Sequence, residues 1–210
     1  MEAGSAREPV RGEVGRERAP VAPVTADPGP LGLAGFAMTT FVLSMINANL
    51  VGSKSTPVVL GLALAYGGLA QLLAGMWEFR TGNTFGATAF TSYGAFWLSF
   101  WAFEQFFAKE VPAASLGKTV GLFLIAWGIF TTYMWVASLR TTVAVSLVFL
   151  LLAVTFFVLG IGQANDNTSV IHVAGWTGLV TAGAAWYASF AAVTNSTFGR
   201  TVLPVVPLKR

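Results

Sequence analysis

The residues able to do chemistry in this chain are almost all neutral, and they cluster inside its apolar segments. The first such segment carries Thr39, Thr40, Ser44, Asn47 and Asn49, the second Tyr66 and Gln71, and the third Thr88, Thr91, Ser92 and Tyr93. A lone Ser or Thr in an apolar helix commonly returns its hydrogen bond to its own backbone. Three successive segments that all carry such groups point instead to a polar path, because burying them costs free energy without partners or a wet cavity. Gln71 is the sharpest case. A mid-segment amide brings two donors and an acceptor that one helix backbone does not satisfy, which leaves a place on the path or a role as interhelical glue.

Ionisable groups are scarce by comparison. No Asp, Glu, Lys or Arg falls at the centre of an apolar segment, which argues against a relay pump or a voltage sensor, since both need charge within the membrane. Glu78 and Arg80 read as an interfacial pair, and Glu104 as a side chain that snorkels to water. The single histidine, His172, is either a helix-end hydrogen-bond donor or a proton-linked group. The chain has no cysteine, which excludes disulfides, thiolate metal sites and a cysteine nucleophile. No carboxylate pair, metal cluster or nucleophile with a base appears, so the expectation is a protein that is not an enzyme, with no metal and no cofactor.

The elements that position these groups follow from composition. Of 210 residues, 55% are hydrophobic and 10% charged, well below the roughly 25% charged content of soluble domains. The charge is concentrated at the start: residues 1–30 hold four Arg and five acids, leaving eight bases and four acids for the rest. With no basic cluster, nucleic acid is not an expected partner. Residues 1–26, which mix charges with Pro9, Pro20 and Pro23, read as a disordered cytoplasmic tail and not as a signal peptide.

Crossing a bilayer core takes about 20 apolar residues as a helix. Six stretches qualify: Leu31–Leu50, Pro57–Trp77, Phe85–Phe107, Leu116–Leu139, Val143–Ile161 and Val170–Val193. The fold expected is an all-α integral membrane protein, with a six-helix transport domain over 27–198 and a cytoplasmic C-terminal tail over 199–210. With the N-terminus inside, inner segments hold nine bases and outer loops only Lys54, Lys109 and Lys118, so both termini are expected to be cytoplasmic. Ala174, Gly178 and Ala182 make a small-residue stripe for close helix approach, within a bundle or between subunits. Asn83-Thr84 and Asn167-Thr168, with Trp97 and Trp186 further along, hint at two three-helix halves.

Asp27-Pro28-Gly29-Pro30-Leu31-Gly32-Leu33 resembles the Asn-Pro-Ala-Pro-Leu-Gly-Leu signature of the acetate uptake transporter (AceTr, YaaH-type succinate-acetate permease) family. Asp27 and Gly29 depart from it. Asp caps a helix as Asn does, but an ionised Asp27 adds negative charge at an anion entrance. The likeness continues through Tyr66-Gly67-Gly68-Leu69-Ala70-Gln71, Gly82-Asn83-Thr84-Phe85-Gly86, Phe90-Thr91-Ser92-Tyr93-Gly94, His172-Val173-Ala174-Gly175-Trp176 and Phe198–Pro204. It implies a bacterial cytoplasmic-membrane hexamer whose protomers each carry acetate and other small monocarboxylates, by proton-linked symport or channel-like diffusion. It also implies a constriction at Phe36, Tyr93 and Leu152 and a substrate-size position at Ala185. Thr39, Asn47, Gln71 and Thr91 are the expected polar groups of the path, and His172 the candidate for proton linkage. A channel for formate, urea or ammonium, and a sensor that moves nothing, are the competing expectations.

Overall fold

The computed structural model describes residues 25–208, so most of the expected N-terminal tail lies outside the described residues. The described chain is all helical, apart from turns and one isolated bridge between Thr142 and Pro207. Seven α-helices form six rods: α1 (Gly29–Asn47), α2 (Thr56–Leu64) continuing into α3 (Gln71–Thr81), α4 (Thr84–Ala102), α5 (Ala113–Ser138), α6 (Val143–Ala164) and α7 (Thr168–Phe198). Four rods, those of residues 29–47, 53–81, 113–138 and 143–164, are long and apolar enough to cross a membrane. The rods of α4 and α7 are long as well, but their Gly, Ser, Thr, Tyr and Trp content dilutes their apolar character.

Local chemistry sets the boundaries. Gly82 ends α3 in the left-handed region at φ +75°, which glycine adopts without steric cost. Asn83 then caps α4 by accepting from Gly86 N at 3.1 Å, and Asn167 caps α7 by accepting from Val170 N at 3.2 Å. Both Asn-Thr pairs are therefore helix starts.

α1 lies along α7, α5 along α6, α6 on α7 and α3 on α4, whereas α4 and α5 touch only lightly. The small-residue stripe of α7 is spent inside the chain's own bundle: Ala174 and Ala182 are buried, and a Cβ on Gly178 would clash with Ser44 of α1. Outward, α5 shows Leu122, Ile129, Tyr133 and Val136, and α7 shows Val173, Trp176 and Val180. Apolar belts of this extent belong against lipid or another subunit.

The rod of α2 and α3 is interrupted at Ala65–Ala70 by a π-helical segment, a feature that often marks functional sites. Gly35 of α1 lies so close to it that a Cβ there would come within 2.6 Å of the Tyr66 carbonyl oxygen. The C-terminal segment folds back on the helix ends. Asn195 Oδ1 accepts from Val202 N (2.7 Å) and Leu203 N (2.9 Å), Tyr187 Oη donates to Pro204 O (2.6 Å), and Val143 N donates to Val206 O (2.8 Å).

Candidate functional site

α1, α4 and α6 run in the same direction from the end of the bundle that holds the chain termini. Between their far halves and α5, at the light α4–α5 seam, lies a cavity of about 520 Å³. Its mouth carries Asn47, Thr56, Glu104, Thr119 and Gln163; its middle is phenylalanine, from Phe96, Phe100, Phe103, Phe123 and Phe156; its floor is Phe36 and Leu152. On α1 the lining residues Phe36, Thr40, Leu43, Ser44 and Asn47 form one stripe at helical spacing, with Ile46 beside it near the mouth.

On the other side of the floor is a chamber of about 20 Å³, lined by Leu33, Phe36, Gln71, Ala89, Phe90, Tyr93, Val148, Phe149 and Leu152. Phe36 and Leu152 line both spaces and separate them. Twenty cubic ångströms accommodates about one water, so the path is pinched at this level.

Tyr93 completes the pinch. Its ring lies 5.9 Å from that of Phe36 at 52° and is braced by Trp127 at 6.0 Å, Phe130 at 5.4 Å and Phe149 at 6.0 Å. Thr131 Oγ1 donates to Trp127 O at 2.7 Å, which uses its single proton. The 2.9 Å contact between Tyr93 Oη and Thr131 Oγ1 therefore has Tyr93 as donor. That bond leaves the ring, not the hydroxyl, as what Tyr93 offers the path.

The polar candidates divide by place. Asn47 lines the mouth; Gln71, 1% exposed, borders the small chamber, whose lining is apolar, and its Oε1 is buried beside it with no partner. Thr39, Thr91, Ala185 and His172 line neither space. Thr39 returns its hydroxyl to Gly35 O at 2.9 Å and faces Gly67. Thr91 meets Gly75 where α3 crosses α4, Ala185 is buried in the core, and His172 is half-buried near the start of α7.

Glu104 is exposed beyond the end of α4 and borders the mouth of the large cavity, whereas Glu78 sits differently from the sequence expectation. Glu78 is 2% exposed and turned inward, accepting from Thr81 Oγ1 at 3.1 Å and lying against Gly29 and Gly86, where α1 and α4 begin. That placement at two helix N-termini suits a carboxylate, and it replaces the interfacial pairing with Arg80. Sequence reading placed Thr40 only among the polar groups of the first segment and gave Trp97 no place on the path, although both line the large cavity. The signal available was the spacing, since Thr40 is one turn from Phe36 and Trp97 one turn from Tyr93.

Comparisons with known proteins agree with this architecture. Residues 12–210 match the profile of the GPR1/FUN34/yaaH family. Over 180 residues the chain is 41% identical to the succinate-acetate/proton symporter SatP of Escherichia coli strain K12, covering 86% of this chain and 95% of that one. It is 45% identical over 195 residues to acetate permease A of Emericella nidulans, where the match covers 86% of this chain but 65% of the longer relative. Among solved structures, that of the bacterial acetate channel SatP superposes with a TM-score of 0.81 at 41% identity, over 87% of this chain and 99% of that one.

Proposed function

The chain belongs to the GPR1/FUN34/yaaH family, and from that premise we propose that it carries acetate and related small monocarboxylates across a cell membrane, through a path within each protomer. The observation that carries this reading is the large cavity floored by Phe36 and Leu152 and closed by the Tyr93 ring. An apolar ring of this kind strips water from a passing ion. A methyl-bearing carboxylate tolerates that better than a strongly hydrated inorganic anion. Asn47 at the mouth and Gln71 beyond the ring replace part of the lost hydration, while Thr39, Thr91 and Ala185 hold the helices that carry the ring.

The six rods are six membrane spans, with both termini cytoplasmic as the excess of bases on that side favours. The wide cavity then opens outward and the Gln71 chamber faces inward. The exposed apolar faces suit lipid and the flanks of a hexamer, in the bacterial cytoplasmic membrane.

Proton linkage needs no protein relay at the ring, because neither space has an ionisable carboxyl there; Glu104 stands at the mouth. The proton travels on the substrate, whose carboxyl titrates near the side-chain value of about 4. The test is uptake of labelled acetate into liposomes holding the purified protein, with protein-free liposomes as the control and with the outside at pH 6 or pH 8. Flux above the control that increases at the lower outside pH supports the reading. Binding of acetate without flux would make the protein a sensor, and flux of ammonium but not acetate would change the cargo.

A further inference from the structure

Of the described residues that line the large cavity, Glu104 alone carries a formal charge, and it stands at the mouth. It belongs to a π-helical turn, Phe103–Phe107, that continues α4 beyond its end. The residue is exposed, and among the described residues no side-chain hydrogen bond or ion pair engages its carboxylate. Folding does not call for an acid here, since an exposed and unpaired surface side chain contributes little to stability. A negative charge at the entrance to a path for anions therefore needs another reason.

The other charges at this end of the bundle stand around the mouth without lining it. Lys54 lies two residues before Thr56, Lys118 directly before Thr119, and Lys109 and Glu110 follow Glu104 on its own segment. Asp166 lies three residues after Gln163, with its Oδ1 packed over Gly117 of α5. Three bases thus face three acids, and Glu104 is the acid that brings this end to balance. The lysines draw anions of any kind toward the rim. Glu104, at the mouth itself, opposes their entry, and it does so beside the apolar walls of Phe100 and Phe103, where low-dielectric surroundings focus the field of a single charge.

Resting on the transport reading above, we propose that Glu104 sorts carboxylates by charge at the mouth, admitting monocarboxylates and holding back dicarboxylates. Repulsion scales with the charge of the arriving ion, so a dianion meets twice the barrier that a monoanion meets. Width does not make this distinction. A cavity of about 520 Å³ falls in the range that holds drug-sized ligands, so a four-carbon dicarboxylate fits into it as acetate does. Charge is then read at Glu104 and size at the ring, at opposite ends of the same cavity.

The test uses liposomes in which the wild type, Glu104→Gln and Glu104→Asp share one orientation, with the outside at pH 8, well above the ordinary carboxyl range. Two quantities are read for each protein: the KM for labelled acetate, and the concentration of outside succinate that halves acetate uptake. The second registers a dianion that enters the mouth even if it never passes the ring. Glu104→Gln keeps the shape and removes the charge. It is expected to lower the acetate KM by no more than about twofold and the half-inhibiting succinate concentration by about fourfold, the square of the single-charge factor. Glu104→Asp should restore both. With salt raised on both sides of the membrane to about 1 M, where the screening length falls to about 3 Å, the difference between acetate and succinate should vanish. Equal changes for the two ions, no change, a succinate gain that survives high salt, or succinate that inhibits neither protein overturns the sorting role. Absence of acetate flux in the wild type overturns the transport reading, and the sorting role with it; flux in the wild type with no selective succinate gain in Glu104→Gln removes the sorting role alone.

Discussion

Gln71 has two donors and an acceptor buried to 1% exposure, with its oxygen unpartnered beside a small apolar chamber beyond the ring. Gln71→Leu keeps approximate size and removes a group that packing alone does not require. The protein is expected to insert and fold, with melting temperature unchanged or raised, and to lose most acetate flux per molecule. Wild-type flux with lowered stability would instead make Gln71 an interhelical tie. Tyr93→Phe removes only the hydroxyl that donates to Thr131. It is expected to cost about 1 kcal/mol of stability and to leave substrate selection close to wild type, because the ring does the narrowing; melting and uptake of a carboxylate series check both. The residue types of the path were legible in the sequence, but not always which neighbour faces it. Thr39 and Thr40 are alike in type, yet a helix turns about 100° between them. The hydroxyl of one is spent on Gly35, whereas the other residue lines the cavity, a difference that only the stripe through Phe36, Leu43 and Asn47 reveals.

The helices themselves were readable to within a few residues, because long apolar runs and Asn caps state where such rods begin. The π segment at Ala65–Ala70 was not, since two glycines and a tyrosine in an apolar run carry no period that distinguishes it from α-helix. Its consequence is testable: a Cβ on Gly67 would come within 2.6 Å of Thr39 Oγ1 and 2.9 Å of Trp97 Cδ1. Gly67→Ala is therefore expected to lower stability by about 1–3 kcal/mol through overpacking and to reduce flux further by displacing the indole. Thermal unfolding in detergent and uptake per protein would register the two effects. The C-terminal segment was read as a tail but is tied down by Asn195, which takes two backbone N–H groups and donates to Leu203 O at 2.8 Å. Asn195→Ala strands those partners, so about 1–3 kcal/mol should be lost, seen as earlier melting and faster proteolysis beyond residue 199.

At the scale of the molecule, two cavities meet at one pinch, and the polarity of each end is set by neutral groups together with Glu104. On the proposal that the proton moves on the cargo, the protonated fraction, and uptake with it, should rise as outside pH falls. His172→Gln should keep that response, since His172 lines neither cavity; loss of the response at preserved flux would make the histidine the coupling group. The sequence could not show the cavity, because it arises where α4 and α5 fail to pack closely, and a gap between distant segments leaves no local period. The central claim is that substrate passes the ring of Phe36, Tyr93 and Leu152, and its most direct test is the ratio of acetate to lactate uptake in Leu152→Ala against wild type, normalised to protein in the membrane. Truncation in a closed core costs about 2–5 kcal/mol, but Leu152 borders open space on both sides and should lose less, so the variant folds. Acetate uptake should then change little and lactate uptake rise several-fold, lowering the ratio. An unchanged ratio in the folded variant would contradict the account by removing Leu152 from the path.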